Sequence, residues 1–219
     1  MHTGAADEGG FAPDYSNNLD TIKALKSAIE TTVYPFSKDV FLGLDIAASN
    51  LVSNRKYSIK DKSGQVDAFE LQAFYKSIVS DYSVIYLEDP YAEDDWDGWK
   101  DLYKEVGGNA LIVGDDLICT NPYRLQMALN NNVLNGITIK PSQIGTVTEA
   151  LAVAEIAKYK NLKIVVGNRS GETRDDFIAD FAVAVGADYV KFGAPSHERI
   201  IKYNRLLEIE QELQKLSSI

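Results

Sequence analysis

Six short apolar runs, each ending in a charged or amide side chain, constrain this chain more than any other feature of its sequence. They are VFLGLD, SVIYLEDP, ALIVGDD, GITIK, KIVVGN and DYVKFG, and the polar residues at or just past their ends are Asp45, Glu88, Asp115, Lys140, Asn168 and Lys191. Each run is too short for a typical helix and rich in β-branched or aromatic residues, so each is expected to be a strand. Successive end residues stand 43, 27, 25, 28 and 23 positions apart, and all but the first interval hold one strand and one helix.

The intervening segments carry helix signals. Asp67 with Glu70 and Thr146 with Glu149 have capping-box spacing, Asn121-Pro122 places a cap before a first-turn proline, and Thr173 or Asp176 is expected to start another helix. Ala68 to Val79 and Leu151 to Ile156 repeat apolar residues at helical intervals. Gly107 and Gly186 suit helix ends that need a left-handed residue, and SNLVSNRKYSIKDKSGQ suits a hairpin or a loop.

Strand followed by helix, repeated, predicts an α/β fold with a parallel sheet. In a closed barrel of parallel strands all the C-terminal ends meet on one face, where distant residues converge. An open doubly wound sheet that binds a nucleotide would need a glycine-rich turn after its first strand. No GxGxxG or phosphate-loop lysine motif is present, and DEGGF is short and acidic.

One strand-end charge alone is more often a solvated group or a helix cap than a catalyst. The set is harder to dismiss. Three carboxylates from separate strands are suited to a hard divalent cation such as magnesium. Zinc would more often recruit histidine or cysteine, and His2, His197 and Cys119 make no spaced motif. Strands that end in lysine predict an anion nearby, because a buried ammonium is costly without one. IVVGNRSGET adds a guanidinium and a hydroxyl, both able to hold a phosphate.

Composition excludes several classes. With 219 residues, 45% of them hydrophobic and 25% charged, the chain reads as one soluble globular domain over residues 1–219. A net charge of −10 argues against a nucleic-acid surface, and no apolar run is long enough to cross a bilayer. One cysteine precludes an internal disulfide, and the first ten residues lack signal-peptide character, so a cytoplasmic protein is expected.

The blocks ADEGGFAP, GLDIAAS, YLEDPYAEDDW, IVGDDLICTNP, IKPSQIGTVTEA, RSGETRDDFIAD and VKFGAPSHERIIKYNRLLEIEQEL resemble enolase, the glycolytic phosphopyruvate hydratase, in the family's order. The resemblance implies a TIM-like (β/α) barrel of the enolase type, with six of its eight strands in this sequence. The family's N-terminal α+β domain and early barrel precede the matched part. It also implies a lyase that dehydrates 2-phosphoglycerate to phosphoenolpyruvate, with Mg2+ held by Asp45, Glu88 and Asp115. Lys140 would be the base that removes the proton beside the substrate carboxylate, and Glu8 the acid that assists departure of the hydroxyl. Arg169, Ser170 and Lys191 would bind substrate, and Asn168, just before the arginine, joins that set.

Physical chemistry agrees with these roles. Lys140 must be neutral to accept a proton, and positive charge from Lys191, Arg169 and magnesium favours that form. Two positions depart from the family pattern: Asn168 stands where histidine is usual, and Ser142 where asparagine is usual. Asparagine still donates a hydrogen bond but cannot carry a proton. An N-terminal enolase fragment or a second copy of the chain is the expected protein partner. A noncatalytic relative that serves as a binding module is the competing expectation.

Overall fold

The computed structural model describes residues 4–6 and 8–217. In chain order the elements are β1 (Gly4–Ala5), β2 (Phe11–Ala12), α1 (Asn18–Glu30), β3 (Leu42–Asp45), β4 (Val52–Ser53), β5 (Lys56–Ser58), β6 (Gln65–Val66), α2 (Ala68–Tyr82) and β7 (Val84–Glu88). They continue as α3 (Trp96–Val106), β8 (Leu111–Gly114), α4 (Pro122–Asn131), β9 (Gly136–Ile139), α5 (Pro141–Ile144), α6 (Val147–Tyr159), β10 (Lys163–Gly167), α7 (Phe177–Ala184), β11 (Tyr189–Lys191) and α8 (Ile200–Ser217). All six runs singled out in the sequence are strands, and they form a sheet in the order β11-β10-β9-β8-β7-β3.

The chain forms two compact units, Tyr15–Ile137 and Met1–Asp14 with Thr138–Ile219. β9 runs through the point of division. Its first residues pair with β8 in the former unit, Val113 with Gly136 and Gly114 with Ile137, and its later residues belong to the latter.

In the unit Tyr15–Ile137, β3, β7 and β8 pair in parallel, which sets Asp45 in register with Glu88 and Glu88 with Val113. Leu87, Ile112, Val113 and Ile137 on the strands are fully buried, as are Leu71, Trp99 and Leu102 on α2 and α3. Strands covered on both faces explain why these runs are continuously apolar rather than alternating. α2 starts on a full capping box: Asp67 accepts from the Glu70 N–H, and Glu70 accepts from the Asp67 N–H. α4 starts where Asn121 accepts from the Tyr123 and Arg124 N–H groups.

The segment left open as hairpin or loop forms a three-stranded antiparallel sheet, β4-β5-β6. Asn54 and Arg55, at φ 53 and 62, make its two-residue turn, because a turn with both central residues left-handed matches strand twist. Tyr57 fixes the sheet by packing edge-on against Tyr91 at 5.7 Å.

In the other unit β10 and β11 pair in parallel, with Gly167 opposite Lys191. Ile139, Val153, Val165, Val166, Ala179 and Phe192 make its core. Three helix-end expectations are refined. Thr146 accepts from the Glu149 N–H, but its hydroxyl also donates to the Glu149 carboxylate at 2.6 Å, so the reciprocal bond of a capping box is replaced. Asp176 occupies the cap position of α7, yet Asp175 supplies the oxygen that accepts from the Phe177 N–H. Gly186 is left-handed at φ 57, whereas Gly107 ends α3 with φ −62, still right-handed.

Candidate functional site

In the unit Tyr15–Ile137 the strand ends gather carboxylates. Glu88 is the last residue of β7 and Asp115 the first after β8, and one ligand oxygen from each of Glu88, Asp89 and Asp115 lies within 4.8 Å of the others. All three residues are buried. The Tyr86 hydroxyl donates to Glu88. Asp45 lies outside this trio; it is exposed and sits beside Glu88 through the β3–β7 register.

Asp89 was not singled out in the sequence. Its oxygens accept from the backbone N–H groups of Asp115 at 3.0 Å, Asp116 at 2.7 Å and Leu117 at 3.5 Å. Its own N–H donates to the Val113 carbonyl at 3.0 Å. Asp89 therefore fastens the turn after β8 to the end of β7, and so places Asp115. Burial, with the charges of Asp115 and Asp116 beside it, pushes the Asp89 carboxyl up to about 8 against the pull of those N–H donors. The available signal was an acid between a strand-ending acid and a proline, but a single sequence does not reveal which of two adjacent acids faces backbone.

Buried oxygen donors at this density fit a hard divalent cation. Magnesium takes carboxylate oxygens and keeps part of its water, and positive charge offsets the repulsion among these groups.

In the other unit Lys140 follows β9 directly, and Lys191 ends β11. Gly167 ends β10 between them, and a Cβ built there would lie 3.3 Å from Thr138 Cγ2 and 3.4 Å from Lys140 Cε. Glycine at this position leaves the lysine chain its path. Lys140 and Lys191 are half-buried.

The chain then turns into the loop predicted to hold an anion. Asn168 donates from Nδ2 to the Arg169 carbonyl at 3.0 Å, while the Arg169 and Ser170 residues are exposed. A cleft of about 390 Å³ is lined by Ser142, Gly167, Asn168, Arg169 and Gly171, among others. Glu8 is exposed, and its carbonyl accepts from the Ala194 N–H at 3.0 Å, which ties its backbone three residues beyond Lys191. His197, given no metal role from sequence, lies in a 3-10 turn, His197–Arg199, ahead of α8.

Each site residue expected from the sequence thus stands at the C-terminal end of its strand or in the loop that follows, or, for Glu8, is tied there. Comparison with known proteins matches residues 1–218 to the family described as enolase, C-terminal TIM barrel domain. Enolase of Helicobacter pylori strain HPAG1 is 47% identical over 213 residues, which is 96% of this chain and 50% of that protein. Enolase of Helicobacter acinonychis strain Sheeba is 45% identical over 213 residues, with the same coverage of 96% and 50%. The chain spans about half the length of these curated relatives.

Proposed function

Because the chain belongs to the enolase family, within its C-terminal TIM barrel domain, we propose that it carries the barrel-borne machinery of a carbon-oxygen lyase that converts 2-phosphoglycerate to phosphoenolpyruvate and water. The observation that carries this reading is the pair of lysines on either side of Gly167, at the ends of β9 and β11, beside an exposed arginine. Cationic strand ends so placed favour an anionic guest and stabilise negative charge that grows during reaction.

Lys140, in its neutral form, takes the proton from the carbon next to the substrate carboxylate. The electron pair left behind forms the new carbon-carbon double bond as the hydroxyl departs from the neighbouring carbon. Glu8, protonated, gives its proton to that hydroxyl, and water leaves. Lys191 faces the charge that develops on the carboxylate, while Arg169 and Ser170 hold the phosphate. Asp45, Glu88 and Asp115 would hold magnesium, which when bound would supply positive charge of the kind that makes such a proton removable. Asn168 contributes a neutral donor where the family usually has histidine. We read residues 1–219 as part of the family's C-terminal barrel domain, acting in glycolysis in the cytoplasm.

The test supplies the chain with an N-terminal enolase fragment, magnesium and 2-phosphoglycerate, and follows phosphoenolpyruvate by absorbance. Conversion that Lys140→Ala lowers at least about a hundredfold supports the assignment, since general bases contribute on that order. Activity insensitive to this change removes Lys140 as the base. A second reading, a noncatalytic relative that binds phosphorylated acids, is favoured by Asn168. It predicts binding of 2-phosphoglycerate without conversion, and Asn168→His would then restore turnover.

A further inference from the structure

We propose that Arg199 and Lys202 are positioning residues that hold the phosphate-gripping loop from behind by its main-chain carbonyls; this rests on the function proposed above. Both cations are almost completely buried, at 1% and 0% exposure. Burying such charges is costly unless their donors are used. Carboxylates stand close to both cations, Glu198 at 3.6 Å from Arg199 Nε and Glu172 at 3.7 Å from Lys202 Nζ.

Carbonyl oxygens accept from three of their nitrogens. Arg199 Nη2 donates to the Ser170 carbonyl at 2.6 Å, and Nη1 reaches the Phe192 carbonyl at 3.4 Å. Lys202 Nζ donates to the carbonyls of Thr173 at 2.8 Å and Asp175 at 2.9 Å. Three carbonyls in the stretch 170–175, which has no helix or strand, are therefore fixed by two side chains from the chain that enters and begins α8.

Two consequences bear on anion binding. In a trans peptide the carbonyl and the following N–H point opposite ways, so capture of the Ser170 carbonyl turns the Gly171 N–H away from Arg199. Gly171, Glu172, Thr173 and Asp175 line the cleft beside Arg169, so the fixed backbone sets that wall. Gly193 belongs to the same device: a Cβ there would lie 2.7 Å from Arg199 Cδ.

The test uses the full chain, inorganic phosphate titrated by 31P NMR, and hydrogen exchange of the 169–176 amides. Lys202→Met is expected to raise loop exchange and to weaken phosphate binding, each about tenfold, while β10 amides keep their protection. Arg199→Lys keeps the charge but loses the forked reach to the Ser170 carbonyl, so it should raise loop exchange and weaken phosphate binding while β10 amides keep their protection, a split that a general loss of stability would not produce. It also serves if Lys202→Met fails to fold. Unchanged loop exchange in both variants overturns the clamp, as does a loosened loop with unchanged phosphate affinity. Arg169→Ala separates the two readings: it should weaken phosphate binding with loop exchange intact. Equal affinity in wild type and Arg169→Ala sinks the loop as a phosphate grip, and the clamp's function with it.

Discussion

Gly167 shows how much a single missing methyl group can matter. The Cβ of Gly167→Ala would press on Thr138 Cγ2 at 3.3 Å and Lys140 Cε at 3.4 Å, and only the lysine has a flexible chain able to give way. The variant should therefore keep its fold and lose roughly tenfold or more in conversion by the complemented enzyme, because small misplacement of a reacting group is costly. A melting curve beside a rate measurement checks this; a large loss of stability with normal turnover would contradict it. Asp89 is the opposite case. Asp89→Ala leaves three backbone N–H groups without their acceptor and should cost about 3 kcal/mol in urea unfolding, with Asp89→Asn costing less because one oxygen remains. Asp45, Glu88, Asp115, Lys140 and Lys191 drew notice because each stands at or just past the end of an apolar run, whereas Glu8 came only from the family resemblance. Asp89 drew no notice, since its work lies in a contact with backbone 26 to 28 residues away.

Element boundaries followed local chemistry closely where one residue both caps and points along the chain. Asp67→Ala removes one half of a reciprocal pair and should cost about 1 kcal/mol in thermal or urea unfolding. Elements joined by charge were less legible. Arg205 of α8 meets Asp180 of α7 through two parallel bonds, Nε at 2.9 Å and Nη2 at 2.8 Å, and the spacing of 25 residues gives no sequence signal. The bond from Arg205 holds the Asp180 carboxyl below its ordinary value of 3.8. The folded state thus favours the charged carboxylate, so this contribution is present above the unfolded pKa and is lost as pH falls through the lower folded value. Asp180→Asn should lower the thermal midpoint at neutral pH, and the two curves should converge as pH falls through the lowered folded value. Because nearly half of the Asp180 side chain is exposed, added salt should shrink the neutral-pH difference. A difference that persists in acid would assign it to packing.

Across the whole chain the parallel α/β character was readable from strand-helix alternation, and the family from seven ordered blocks. The division into two compact units was not, because it falls inside β9, a run of four uninterrupted buried residues. Net charge also acts at this scale. With 32 acids against 22 lysines and arginines, self-repulsion opposes compaction. Raising ionic strength from low values should therefore raise the thermal midpoint, and magnesium should raise it further at equal ionic strength if Glu88 and Asp115 hold the ion. Equal effects of magnesium and sodium salts at matched ionic strength, or an unchanged magnesium response in Glu88→Ala, would remove the ligand assignment.

The buried clamp has a consequence for inheritance. Arg199 and Lys202 grasp carbonyl oxygens, which every amino acid supplies, so replacing Thr173 or Asp175 does not remove the atoms being held. The loop is thereby freed to exchange side chains over generations while its path is dictated from the first turn of α8 and the residue just before it. Statistical pairing of positions among homologues would pass over this coupling, since one partner in each bond has no identity to vary.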